Sequence, residues 1–254
     1  MLKEDRQRQV LEILRTKGRV EVSQLCQLFN VTNMTIRRDL NGLERSGLLI
    51  RSRGGALLAD SNILVEHPFN IRLNERREKK LKIAEAALDT ILDGRKIFLG
   101  SGTTVWYLAQ KLDSSRRLIV VTDAVNIASE VITRPSVSVI QIGGDLRPNT
   151  YSTVGTFAED MVRQFKCQHA YIGVTGIGAD GFLYVASVAE AGFFRAVFEI
   201  SHSIFVLADS SKLGVEDFIS IGRLSADYTL ITDKEADRGL IEAYRSLGAQ
   251  VILA

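Results

Sequence analysis

Seven short apolar runs alternate with helical stretches from residue 75 to the end of the chain. Each run has the length of a buried strand, and the segments between runs are long enough for helices. Repetition of strand, helix and strand predicts a mostly parallel sheet covered on both faces, which is an α/β fold. The runs lie at residues 97–99, 118–121, 137–142, 170–174, 204–208, 228–231 and 251–253.

The first 58 residues follow a different, helical pattern. Apolar residues at helical spacing predict a first helix over residues 5–16. Ser23 is expected to cap a short second helix, which ends at Asn30. Thr32 is expected to cap a third helix, with Gly47 in the usual stop position. These short helices are the first part of a helix-turn-helix.

The third helix has two contrasting faces. Ile36, Leu40 and Leu43 fall within about 60° of one another at 100° per residue, so they form a narrow core stripe. The opposite face carries Met34, Arg38, Asn41 and Arg45, with Arg37 on its flank. Two apolar stretches follow, residues 48–51 and 56–58, and the pair Gly54-Gly55 between them predicts a hairpin. Helices and hairpin together predict a winged helix-turn-helix over residues 1–58.

Charge is unevenly divided along the chain. The formal net charge is only +2, but residues 1–58 carry 11 Lys and Arg against 6 Asp and Glu. The remaining residues carry 21 against 24. Because the excess positive charge lies at one end, we expect that end to bind a polyanion.

DNA is the expected polyanion, read by the third helix in the major groove. Two neighbouring arginines are also compatible with a plain solvated helix face, but the capped start and the basic wing favour DNA. We predict that Asn33, Met34, Arg37 and Arg38 lie near base edges. Phosphate and other contacts are predicted for Thr35, Arg51, Arg53 and Ser23.

Residues 59–74 lack periodicity and contain Pro68, so they are predicted to link the winged domain to an α/β effector-binding domain over residues 75–254. No apolar run approaches the ~18 residues of a membrane helix, and the charged start is not a signal peptide, so a cytoplasmic protein is expected. Cys26 and Cys167 form no CxxC pair, and the three histidines have no ligand spacing. We therefore expect neither a metal site nor a cofactor.

The loops after the strands carry the residues suited to bind a ligand. In open α/β sheets ligands bind beyond the carboxyl ends of the strands. Backbone N–H groups and hydroxyls there suit an anion, and Arg147 and Lys212 suit a phosphate, although both are also compatible with ordinary surface charges. The predicted effector site comprises Gly100, Ser101, Gly102, Thr103, Thr104, Asp123, Gly144, Arg147, Thr175, Gly176, Asp180, Glu190 and Lys212.

The chain resembles the DeoR family of bacterial regulators over nearly its whole length. The resemblance is strongest in residues 35–40 (TIRRDL) and 53–56 (RGGA), and continues through Gly143-Gly144 to residues 208–212 (ADSSK). It implies a cytoplasmic repressor whose ligand domain is similar to ribose-phosphate isomerases. Such a domain binds a sugar phosphate or polyol phosphate, which lowers operator affinity. The spacing from Gly173 to Glu190 is most similar to the glycerol-3-phosphate-responsive branch, and a homodimer or homotetramer is expected.

Four positions depart from the family pattern. Many members have an acidic residue at the position of Gly100, Asn or Ser at Asp123, Asp at Thr175 and Lys at Phe194. The change at Phe194 removes a candidate anion partner, and Asp123 adds a negative charge that repels phosphate. An atypical effector is therefore expected, either a different phosphorylated sugar or one with fewer charges.

A phosphosugar isomerase is the alternative function. Asp123, Asp180 or Glu190 would then act as general base and Lys212 as electrostatic stabiliser. The first 58 residues argue against this alternative, because an isomerase does not require a DNA-binding domain.

Overall fold

The computed structural model describes residues 3–17, 19–45, 48–52, 54–58 and 68–254. The chain divides into two compact units, Met1–Ile71 and Arg72–Ala254. Each unit has its own apolar core.

Up to Leu58, the described residues of the first unit form three helices and a small antiparallel sheet. In chain order its elements are α1 (Lys3–Lys17), β1 (Arg19–Glu21), α2 (Val22–Phe29), α3 (Asn33–Arg45), β2 (Leu49–Ser52) and β3 (Gly55–Leu58). The strands pair in the order β1-β3-β2, so β1 joins the predicted hairpin as a third strand. Sequence reasoning missed β1 because its three residues, with Val20 as the one apolar side chain, are too few to show the alternation of a strand.

The start of α2 differs from the prediction, whereas the start of α3 confirms it. Ser23 does not cap α2, because the helix already begins at Val22 and its cap position is Glu21, which makes no side-chain cap bond. The Val22 N–H instead donates to the carbonyl of Gly54, at 2.8 Å, so the wing replaces a side-chain cap. At α3 the Thr32 hydroxyl does accept from the Thr35 N–H, at 3.3 Å.

The second unit is built on one large sheet. Its helices are α4 (Phe69–Asn74, which spans the division), α5 (Arg77–Leu88), α6 (Thr103–Lys111), α7 (Val125–Val131), α8 (Thr156–Val162), α9 (Val188–Ile200) and α10 (Arg238–Ser246). Its strands are β4 (Lys96–Leu99), β5 (Leu118–Thr122), β6 (Val137–Gln141), β7 (Asp145–Arg147), β8 (Ser152–Val154), β9 (Cys167–Ile172), β10 (Gly176–Ile177), β11 (Phe182–Val185), β12 (Ser201–Leu207), β13 (Ile219–Arg223), β14 (Tyr228–Thr232) and β15 (Gln250–Leu253). Of the predicted linker, residues 59–74, the part from 59 to 67 lies outside the described residues. Its last six residues form α4.

The seven predicted runs all form strands of this sheet. Its order is β15-β14-β12-β9-β4-β5-β6, and every neighbouring pair is parallel. Apolar clusters cover both faces, as the α/β prediction requires. The strand order reverses between β4 and β9, and the carboxyl ends of these two strands therefore border a crevice of the kind that binds ligands.

Two smaller sheets were not predicted. β7 and β8 form an antiparallel hairpin, and β10, β11 and β13 form a three-stranded antiparallel sheet. β7, β8, β10 and β13 are two to five residues long and include polar residues or glycine, so they give no apolar run. β11 is itself a short apolar run (FLYV), which sequence reasoning missed. The β7-β8 hairpin directly follows β6, and its residues contribute to the crevice.

Candidate functional site

The outer face of α3 is open to solvent. Asn33, Met34, Arg37 and Arg38 are exposed, and 69% of the Met34 surface is accessible. On the opposite side Ile36, Leu40 and Leu43 are buried, as the sequence pattern predicts. The exposed face therefore combines donors that suit base edges with one apolar side chain that suits a thymine methyl group.

The other residues predicted to bind DNA that the structure describes lie on α2, α3 and β2. Ser23 is exposed near the start of α2, and the Thr35 side chain is partly held by Thr32, with 2.9 Å between the two hydroxyl oxygens. Arg51 is half-buried on β2, and its backbone N–H donates to Glu44 Oε1 at 3.2 Å. Arg53 lies outside the described residues.

In the second unit the loops after β4 and β9 meet at the crevice. A side chain at Gly173 would lie 3.6 Å from the Ser101 carbonyl oxygen. Gly102 has a φ of 136°, which favours glycine, and it leads into α6, whose first residues Thr103 and Thr104 are nearly buried. The predicted Gly/Ser/Thr turn therefore lies at the reversal of strand order, with its backbone held close to the neighbouring loop.

Asp123 anchors this turn from the end of β5. Its Oδ1 accepts the Ser101 N–H at 3.0 Å, and its carbonyl accepts both the N–H and the hydroxyl of Thr153, at 2.9 and 3.1 Å. Burial, aided by the negative charge of Glu190, raises the pKa of Asp123 to about 7. Asp123 is therefore a buried carboxyl that titrates close to neutral pH.

The β7-β8 hairpin brings Arg147 to the same region. Arg147, on β7, forms an ion pair with the buried Glu190 in the first turn of α9. Gly144 allows the hairpin to approach, since it has a φ of 143° and a Cβ there would lie 2.6 Å from the Val154 carbonyl oxygen. Asp123, Arg147 and Glu190, predicted separately, are thus neighbours in one cluster of charge.

A second cluster surrounds Asp209 at the carboxyl end of β12. Four cationic side chains and two carboxylates interact electrostatically here, namely Arg72, Arg76, Lys80, Lys212, Asp209 and Glu75. Burial lowers the pKa of Lys80 to about 8, and burial also lowers the pKa of Lys212. We call this set the basic cluster. Because its cations outnumber its carboxylates, binding of an anion would relieve their mutual repulsion.

Sequence reasoning missed Lys80 and Arg76. Lys80 lies on the buried face of α5, in helical register with Ile83, Ala84 and Ala87, and its ammonium group donates to the carbonyl of Arg72. A lysine at a core position of an amphipathic helix is a signal that could have been found. Arg76 offered no such signal, because it lies between two helices in a left-handed conformation with φ 50°.

Other predicted residues lie elsewhere or have structural roles. Thr175 donates its hydroxyl to the Tyr184 carbonyl at 3.0 Å, and Gly176 packs tightly against the backbone of Val215. Asp180 is not brought to the crevice. It lies in the turn between β10 and β11, which packs against Leu224 and Leu247, the residues just before the last two strands of the sheet.

Comparison with known proteins identifies the family. A model of the DeoR-like helix-turn-helix domain matches residues 6–62, and a model of the DeoR C-terminal sensor domain matches residues 75–234. The chain belongs to the DeoR family. The resemblance stated from the sequence is therefore confirmed, as are the winged helix-turn-helix and the α/β domain. The chain is a DNA-binding transcriptional regulator with a sensor domain.

Its relatives are named as repressors. It is 31% identical over 224 residues to the glycerol-3-phosphate regulon repressor of Escherichia coli K12, covering 88% of each chain. It is 30% identical over 250 residues to a putative aga operon transcriptional repressor of Escherichia coli O157:H7, covering 98% of this chain and 93% of that one. A solved structure, ribose 5-phosphate isomerase A from Methanocaldococcus jannaschii, is 16% identical with a TM-score of 0.40, over 55% of each chain.

Two kinds of feature are absent from the described residues. In the ranges that the structure describes, no helix is both long and apolar enough to span a bilayer. Across the same ranges, no three His, Cys, Asp or Glu side chains are grouped so that they could hold a metal ion.

Proposed function

We propose that this regulator represses a carbohydrate or polyol catabolic operon and leaves its operator when a phosphorylated sugar or polyol binds the sensor domain. The relatives named for the glycerol-3-phosphate regulon and for a lactose phosphotransferase system support an effector of this chemistry. The basic cluster is the observation that carries the proposal, since it places the buried Lys80 and the half-buried Lys212, whose positive charges repel each other, beside the carboxyl end of the sheet.

The effector is proposed to bind in two parts. Lys212 and Lys80 would neutralise its phosphate, while Ser101, Thr103 and the Asp123–Glu190 region would bind its hydroxyl groups. Arg147 is a weaker phosphate partner than the sequence suggested, because Glu190 already neutralises much of its charge. This division keeps the phosphate dianion away from the carboxyl groups of Asp123 and Glu190, which would repel it.

Lys212→Gln should abolish the response to the effector while DNA binding stays intact. The assay is a thermal-shift screen of phosphorylated sugars and polyols, in which a ligand at ~100 times its dissociation constant adds about 2.7 kcal/mol to the free energy of unfolding. Lys234→Gln, which changes an exposed lysine, is the matched control. An unchanged ligand-induced shift of the melting temperature in Lys212→Gln would argue against the phosphate site.

The affinity of the protein for the phosphorylated effector should also fall above pH 8, because Lys80 loses its proton there.

The DNA-binding role is proposed to depend on the exposed face of α3. Arg38→Ala should reduce preference for the operator over random DNA by about tenfold or more, because a bidentate arginine discriminates by ~1 to 3 kcal/mol. The residual salt-dependent affinity for random DNA should fall only slightly. Gel-shift titrations against both DNAs measure this, with Arg8→Ala as a control on the exposed side of α1. Unchanged preference would contradict the assignment of Arg38.

The regulator is proposed to act in the cytoplasm as a homodimer or homotetramer that binds inverted or direct repeats, since paired heads read paired half-sites. We propose that it is not an enzyme. Two observations support this, because Asp123 is already bonded to the Ser101 N–H and Glu190 is already paired with Arg147. Turnover of any sugar phosphate by the full chain would overturn this part of the proposal.

A further inference from the structure

A buried ion pair joins the first helix to the DNA-reading helix. Arg6 Nε, on α1, lies 2.5 Å from Asp39 Oδ2, on α3. Only 7% of the Arg6 surface and 1% of the Asp39 surface are exposed. The side-chain amide of Gln7 also donates to the Asp39 carbonyl, at 3.3 Å. Two consecutive residues of α1 therefore hold one residue of α3.

This pair occupies a position where an apolar contact would be expected. Asp39 lies in helical register with Ile36, Leu40 and Leu43, so it belongs to the core face of α3. Burying an ion pair costs desolvation, and well-packed apolar residues of similar volume are often at least as stable. Stability alone does not account for a charge pair in this core.

Directionality is what the ion pair adds to the apolar stripe. Aliphatic contacts are non-directional, so Ile36, Leu40 and Leu43 permit α3 to rotate slightly about its axis. A short charge-assisted hydrogen bond has a narrow range of distance and angle. A rotation of about 20° would move a group on the helix surface, at a radius of about 5 to 6 Å, by about 2 Å. Such a shift breaks a bidentate contact to a base.

We propose that the Arg6–Asp39 pair is a positioning device, which fixes the rotation of α3 against α1 and so sets which bases Arg37 and Arg38 read. Neither Arg6 nor Asp39 contacts DNA in this proposal. The pair acts through α3, and the inference rests on the proposed role of that helix in reading DNA.

The experiment selects binding sites from a duplex DNA library with a randomised central segment. Wild type should enrich a defined motif. The double variant Arg6→Met/Asp39→Leu should fold and keep its salt-dependent affinity for random DNA, whereas its preference for that motif over random sequence should fall by about tenfold. Arg6→Lys keeps the charge without the Nε geometry, and it should lose preference to an intermediate degree. Thermal unfolding of each variant separates a positioning effect from a loss of fold.

An exposed ion pair in the same turn of α1 provides the matched control. Arg8 and Asp5 lie 2.7 Å apart on the same helix, and Arg8→Met/Asp5→Leu should leave the motif unchanged. Failure of wild type to enrich any motif would refute the DNA-reading role itself. An unaltered motif in a folded double variant overturns the positioning role alone. If the double variant does not fold, Arg6→Lys provides the test instead. A folded Arg6→Lys whose preference for the motif is undiminished would also overturn the positioning role.

Discussion

Two of the residues that depart from the family pattern are in contact with each other. A Cβ at Gly100 would lie 3.2 Å from the Phe194 ring, and Phe98 and Ile172 are nearly as close. The family resemblance implies charged side chains at these two positions in many members, whereas here Gly100 and Phe194 form an apolar wall with Phe98 and Ile172. This wall offers no charged side chain to a phosphate, and the proposed phosphate site therefore lies at Lys80 and Lys212.

Asp123 should make the stability of the protein depend on pH. Its pKa of about 7 in the folded chain exceeds the ordinary value of about 3.9, so folding takes up a proton between these values. The free energy of unfolding should then fall as pH rises from about 4 to about 7, by at most about 1.4 kcal/mol per pH unit. Asp123→Asn should remove this dependence, because an amide can accept the Ser101 N–H without ionising.

Thermal unfolding between pH 4 and pH 8 measures the difference. Asp123→Asn should be closest to wild type in melting temperature near pH 4 and should exceed it increasingly up to about pH 7. Asp227→Asn, which changes an exposed carboxylate, should follow the wild-type curve. Parallel curves for wild type and Asp123→Asn would show that burial does not raise the pKa of this carboxyl.

At the scale of elements, the β7-β8 hairpin depends on one close approach. Gly144 sits where a Cβ would lie 2.6 Å from the Val154 carbonyl oxygen and 2.9 Å from the Ala158 Cβ, whereas a Cβ at Gly143 would meet nothing within 4 Å. Gly144 therefore has no room for a side chain, whereas the adjacent Gly143 does.

Gly144→Ala should lower the free energy of unfolding by about 3 kcal/mol, because it combines backbone strain with overpacking. It should also weaken the effector response, since it displaces the strand that carries Arg147. Gly143→Ala is the matched control and should change stability by less than about 0.5 kcal/mol. Chemical denaturation measures both variants, and equal losses would show that the hairpin does not depend on this approach.

For the whole molecule, sequence reasoning succeeded where a pattern is local and repeated. Seven apolar runs suffice to predict seven parallel strands, and the prediction that Thr32 caps α3 is confirmed. Ser23 failed as a cap because a distant carbonyl, that of Gly54, took its place. Local sequence does not contain such partners.

The candidate site shows the same limit. Strand ends pointed to Asp123 and Arg147, and the family resemblance added Glu190. The structure brings these three residues together, but the ion pair between Arg147 and Glu190 joins separate elements and has no signature in the sequence. Asp180 follows a strand end as the others do, yet an unpredicted hairpin carries it away from the crevice. Lys80 was not predicted because it lies on helix α5, outside the strand-end loops in which open α/β sheets bind ligands.

The reversal of strand order also has a consequence for how the sensor domain folds. β4 pairs with β5 nearby in the chain, but also with β9, and the Lys96 N–H donates to a Gln168 side chain 72 residues away. Closing so long a loop costs entropy before the contacts that compensate it can form. We expect the β4–β5–β6 half to assemble early and the junction with β9 to limit the rate of folding. The crevice would then be among the last parts of the domain to take shape.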